Sequence, residues 1–185
     1  MSSHHHRHAS LVLVAAVVAA LGSAVAHSQP QRPDPLAPLE FLVGRWTGRS
    51  EGKPGEGTGE REYARVLGSR FIHARNTATY PPQAKNPKGE QHEDMGFFSF
   101  DSARKKLVYR QFHVEGFVNQ YVADPPSKPG VIVFTTEAIE NIPPGWRARE
   151  TYTLLASGEL EEVFELAEPG KEFEVYSRTR LRRIR

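Results

Sequence analysis

From about Leu42 onward, short runs rich in β-branched and aromatic residues are interrupted by glycine, proline and aspartate at intervals of roughly ten residues. That rhythm predicts strands joined by tight turns, and no long stretch carries the spacing of an amphipathic helix. Strands are expected at 42–50, 60–67, 70–80, 94–100, 106–113, 117–123, 131–138, 147–155, 159–166 and 172–182. Gly68-Ser69, Gly116, Ser157-Gly158 and Pro169-Gly170 supply the positive φ or fixed bend that a hairpin connection needs. An open sheet of about ten strands would leave two edges and a broad apolar face uncovered, so closure into an all-β, antiparallel up-and-down barrel is expected.

Finer features follow from the same pattern. Leu36, Leu39 and Leu42 are spaced by three, predicting a short helical turn before the first strand. The glycine-, proline- and charge-rich stretches 51–59 and 81–91 read as loops flanking the barrel mouth. In the last strand, Phe173, Val175, Ser177, Thr179 and Leu181 share the parity expected to face the core. Glu172, Glu174, Tyr176, Arg178, Arg180 and Arg182 share the other.

The N-terminal part follows different rules. Leu11 to Leu21 form an apolar run too short to span a bilayer, with Arg7 before it and small residues, including Ala24 and Ala26, after it. This is the anatomy of a cleaved signal peptide, with the cut expected before His27 and the product periplasmic or secreted, retaining no membrane span. The expected organisation is therefore signal peptide at 1–26, proline-rich tether at 27–38 and barrel domain at 39–185. His4, His5, His6 and His8 fall inside the removed segment, which argues against a metal site there.

Composition narrows the function. With 24 basic and 22 acidic residues the formal charge is only +2, too weak a field to indicate a nucleic-acid partner. The absence of cysteine rules out disulfides, thiolate metal sites and a cysteine nucleophile. There is no phosphate-cradling glycine loop before a helix, no G-x-S-x-G elbow and no two-histidine zinc motif. No catalytic residues and no metal ligands are assigned, and a binder is favoured over a catalyst.

Polar residues in the predicted strands supply candidate ligand contacts. The richest segment, Tyr109 to Tyr121, places His113 and Glu115 two apart on one strand face, where they could orient a ligand, a proton or a metal. His73 and Arg75, with Phe71 and Thr77 on the third strand, line either the lumen or the solvent side. His92, Glu93 and Asp94 are consecutive, so alternation divides them between faces and they read as a solvated strand start. Trp46 should meet an arginine of the last strand, Arg180 or Arg182, where a guanidinium on the indole would close the barrel base.

Gly44-Arg45-Trp46-Thr47-Gly48, after a leucine-rich turn and before about ten strands, resembles the calycin superfamily of lipocalins and fatty-acid-binding proteins. His113-Val114-Glu115-Gly116-Phe117-Val118-Asn119 is similar to a mid-barrel segment of the nitrobindin-like haem-binding β-barrels, and the resemblance extends over 40–185. It implies a calycin-type barrel with a ligand in its lumen. By likeness to fatty-acid-binding proteins, Tyr176 and Arg178 would hold an acidic headgroup. Nitrobindins hold haem iron through a histidine on the final strand, a position that falls here on Tyr176 or Ser177, and no histidine follows His113. Tyrosine can ligate ferric haem.

The leading expectation is an exported protein holding a hydrophobic or amphipathic molecule in its lumen. The candidate contacts are Trp46, His73, Arg75, Arg110, His113, Glu115, Asn119, Tyr176 and Arg178. Haem with altered axial ligation is the alternative, and a small barrel enzyme using Arg110, His113 and Glu115 is a third reading. The oligomeric state stays open.

Overall fold

A computed structural model describes residues 33–125 and 128–184, so the expected signal peptide and half of the tether lie outside the described residues. A six-residue 3-10 turn, Ala37–Leu42, leads into ten strands. These are β1 Gly44–Gly52, β2 Gly55–Val66, β3 Phe71–Tyr80, β4 Glu90–Asp101, β5 Lys106–His113, β6 Val118–Ala123, β7 Val131–Glu140, β8 Arg147–Leu154, β9 Leu160–Ala167 and β10 Glu174–Ile184. Each strand pairs with its neighbour in sequence, and β1 pairs with β10 to close the barrel. Every pairing is antiparallel, the up-and-down architecture expected from the hairpin rhythm.

The stretch 51–59 is not a loop. β1 and β2 run through it in register from Gly44↔Tyr63 to Gly52↔Gly55, leaving only Lys53 and Pro54 between them. Its glycines serve close backbone approach: a Cβ at Gly48 would collide with the Arg180 carbonyl of β10. β4 likewise begins at Glu90, four residues earlier than expected, whereas 81–89 is irregular apart from the bridge Gln83↔Asn86.

In β10, Ser177, Thr179 and Leu181 face inward as expected, but the register shifts between Val175 and Ser177. This bulge leaves Val175 45% exposed and brings Tyr176 to the lumen. Phe173 lies before β10, beneath the guanidinium groups of Arg147 and Arg149 at 4.8 and 4.3 Å.

One end of the barrel is solid. Leu36, Leu39, Leu42 and Trp46 join a buried aromatic cluster of Tyr63, Phe98, Tyr109, Tyr121, Phe134 and Tyr152. Phe98 stacks on Tyr109 with ring centroids 4.0 Å apart, and Tyr63 meets Tyr152 edge-on at 6.4 Å. Leu36 belongs to this core and Asp34 pairs with Arg65, so the docked region begins within the expected tether. The Trp46 indole N–H donates to the Leu42 carbonyl at 2.7 Å, and its face carries Arg183 at 4.2 Å. The base closure is as expected in kind, with Arg183 in place of Arg180 or Arg182.

Candidate functional site

The opposite half of the barrel is open. A cavity of about 460 Å³ occupies it, within the usual size range of small-molecule sites. Its wall is largely apolar, with Ala78, Tyr80, Phe117, Ile139, Ile142, Trp146, Phe164, Leu166 and Tyr176. Its polar lining includes Arg61, Asp94, Gln111, Asn119, Glu150 and Glu162, with His92, His113 and Glu115 on the β4–β5 side.

Strand alternation creates this arrangement. β3 directs Ile72, Ala74, Asn76, Ala78 and Tyr80 inward, and β8 directs Ala148, Glu150 and Tyr152 inward. Toward the open half, polar residues on the inward parity, such as Asn76 and Glu150, replace the aromatic and aliphatic ones of the closed end. Arg61 reaches across to Glu162, its Nε 3.2 and 3.1 Å from the two carboxylate oxygens and its Nη2 2.5 Å from one. Arg61 Nη1 also donates to the carbonyls of Glu60 and Thr77. Burial, together with the charges of Glu162 and Asp94, raises the Glu150 carboxyl well above the usual carboxylate range and favours its protonated form.

His92, Asp94 and His113 come together on one wall, correcting the expectation of a solvated strand start. His92 and Asp94 are two apart on β4 and so share a face, while Asp94 lies opposite His113 across the β4–β5 ladder. His92 Nε2 is 3.3 Å from His113 Nδ1 and 3.6 Å from Asp94 Oδ2. The far atom of each group is also held. His92 Nδ1 meets Glu115 Oε1 at 2.8 Å, Asn76 donates to Asp94 Oδ1 at 2.7 Å, and His113 Nε2 lies 3.2 Å from the Asn119 amide.

The two imidazoles respond oppositely to these surroundings. Burial disfavours a charged ring at His92, but hydrogen bonds to Asp94 and Glu115 outweigh it and push the ring up to about 9. Burial pulls His113 down to about 4, against the attraction of Asp94 and aided by repulsion from His92. Burial also works against a charged Asp94, yet its bond to His92 and the nearby Arg61 hold it below the usual range. The wall therefore holds one charged and one neutral imidazole around a carboxylate.

The structure divides the sequence candidates. His113, Glu115, Asn119 and Tyr176 line the cavity. Trp46 does not, being part of the closed end at 1% exposure. His73 points outward against Phe97, with ring centroids 5.0 Å apart, and Arg75 and Arg110 are exposed on the outer wall. Arg178 also faces outward, 3.1 Å from Glu161, as the parity argument for β10 implied. Arg61, Asn76, Gln111, Glu150, Glu162 and Trp146 were missed. A charged or amide residue on the apolar parity of a strand, as at Glu150 between Ala148 and Tyr152, was the signal that could have revealed several of them.

All four buried side-chain atoms without a hydrogen-bond partner among the described residues are oxygens: Asn76 Oδ1, Gln111 Oε1, Asn119 Oδ1 and Glu150 Oε2. Three of the four residues line the cavity. Of these, the Gln111 and Asn119 amide oxygens are acceptors without a donor, whereas a protonated Glu150 carboxyl can itself donate.

Residues 35–183 match the family described as THAP4-like, heme-binding beta-barrel domain. No curated protein matches the sequence. Among solved structures, the crystal structure of Rv2717c from M. tuberculosis is similar with a TM-score of 0.62 and 19% identity, covering 83% of this chain and 99% of that one. At that identity the likeness speaks for the fold.

Proposed function

Because this chain belongs to the family of THAP4-like, heme-binding β-barrel domains, we propose that it is a small-molecule carrier or sensor. Its guest is an amphipathic molecule held in the open half of the barrel, its apolar body against Ile139, Trp146, Phe164 and Leu166. Its inward end carries hydrogen-bond donors, such as a hydroxyl or an amine. The carrying observation is the apolar wall above the unpartnered amide oxygens of Gln111 and Asn119. Asp94, Glu115 and Glu162 against Arg61 and a charged His92 make this region unfavourable for an acidic headgroup. Export by the segment 1–26 belongs to the same proposal.

Haem is the second reading, favoured by the family description. The apolar wall suits a macrocycle, but the donors do not suit ligation from the last strand. Tyr176 lines the cavity from β10, and burial with the nearby charge of Glu90 raises its phenol, disfavouring the phenolate that would bind ferric iron. The two imidazoles stand on β4 and β5 rather than on the last strand. Haem held from β10 is therefore not supported by the residues present.

The test is a titration of the full chain with dodecylamine, dodecanol, dodecanoate and hemin, followed by tryptophan fluorescence. Trp146 lines the cavity whereas Trp46 is sealed in the closed end. Saturable quenching by the amine and alcohol at one equivalent, lost in Trp146→Phe and weak with dodecanoate, is expected. No response to any amphiphile would refute the proposal. A Soret shift abolished by Tyr176→Phe would establish the haem reading instead.

A further inference from the structure

We propose that His92 Nε2, Asp94 Oδ2 and His113 Nδ1 form a binding site for a divalent first-row transition-metal ion, with an open coordination position facing the cavity. The three residues offer ligand atoms that all lie within 4.8 Å of one another. Two of the three separations are close to those of ligands sharing one ion. Bonds of roughly 2.0–2.1 Å at tetrahedral angles place neighbouring donors roughly 3.3 Å apart. The separations here are 3.3 Å between the imidazole nitrogens and 3.6 Å from His92 to Asp94.

A second observation is the shell behind the ligands. Metal-bound histidines commonly direct their other nitrogen to a carboxylate or amide, fixing both ring orientation and tautomer. Glu115 does this for His92, while Asn76 holds the second oxygen of Asp94. His92 and Asp94 are thus oriented from behind, with the other atom of each turned toward His113.

The surroundings suit an ion with bound water. Gln111 is 3% exposed and Asn119 1% exposed, and each leaves an amide oxygen unpartnered at this cavity. Water polarised by a divalent ion is a strong donor and would satisfy such acceptors. Two nitrogens and one oxygen, with no thiolate, select a borderline ion of the zinc or iron(II) class over a soft one. Three protein ligands plus an open position is also the ligand count of a reactive site, whereas structural sites are closed by four. The inference uses the same cavity as the proposed function but does not depend on an amphipathic guest.

The experiment is calorimetric titration of the metal-stripped full chain with Zn²⁺. His4, His5, His6 and His8 are replaced by alanine in every sample so that the N-terminal cluster contributes nothing. One equivalent should bind, with His92→Ala and His113→Ala each lowering affinity at least about 100-fold and Glu115→Gln about 10–100-fold. Thermal unfolding without metal checks each fold, and Glu115→Gln alters only a partly exposed outer carboxylate. If the alanine variants do not fold, the Glu115→Gln result decides alone. Absence of one-to-one binding, or affinity unchanged in the folded variants, overturns the proposal. Dodecylamine titration of the metal-free chain separates the readings: amine binding without Zn²⁺ binding defeats this inference alone, and the reverse defeats only the guest.

Discussion

Arg61→Met isolates the ion pair buried beside the cavity. Methionine keeps much of the stem volume but removes the guanidinium that gives two nitrogens to Glu162 and a third to the Glu60 and Thr77 carbonyls. Leaving one charge of a buried pair without its partner costs about 3–5 kcal/mol. Two carbonyls losing a donor add about 1 kcal/mol each. The total of about 5–7 kcal/mol corresponds to a fall in Tm of roughly 10–28 °C for a domain of this size. The loss should depend on pH, because the stranded Glu162 is expected to have a raised pKa in the folded variant. Its folded state then retains a proton that the unfolded chain releases, so stability falls as pH rises through that interval and the deficit is larger at about pH 8 than at about pH 5. In Arg61→Met/Glu162→Gln the charge is gone and more than half of the loss should return. Urea unfolding followed by far-UV circular dichroism at both pH values measures this. A loss below about 1 kcal/mol at the higher pH, or a double variant as unstable as the single, would refute the buried-pair reasoning.

Glu150→Gln should reduce the pH dependence of stability. The folded-state pKa of Glu150 is raised by burial and neighbouring carboxylates, so its favourable contribution is present below the unfolded pKa and lost as pH rises through the folded value. The variant should therefore gain on the wild type in alkaline urea titrations, and parallel pH profiles would contradict this. Gly48→Ala should cost about 1–3 kcal/mol, because the Arg180 backbone occupies the space of the added Cβ; an unchanged Tm would show that β1 and β10 are farther apart. Protein recovered from an exporting host should begin at His27 by intact mass, and a chain still carrying residues 1–26 would count against cleavage.

The barrel was largely legible because turn chemistry and strand composition agree along the chain. β5 falls on its expected bounds, and the remaining strands fall on the expected segments with shifted ends. The β1–β2 hairpin was obscured because Gly52, Gly55, Gly57 and Gly59 suggest a loop by composition. Their use in close packing becomes visible only when another strand is placed against them. The site was less legible for a related reason. His73, Arg75 and Arg110 lie in strands that carry polar residues on both faces, so alternation alone does not give their sense. At β4 the sequence contained the answer: treating His92, Glu93 and Asp94 as one consecutive group hid the shared face of the first and third. Only the β4–β5 register brings His113 to them.

Backbone amide shifts of isotope-labelled full-length protein, followed by NMR during dodecylamine titration, test most directly whether the open half of the barrel is the binding site. The shifts should concentrate at Gln111, Asn119, Trp146 and Leu166 around the cavity, leaving Arg75 and Arg110 on the outer wall unmoved. Saturable shifts confined to the outer wall, with the cavity residues unchanged, would contradict a lumenal guest.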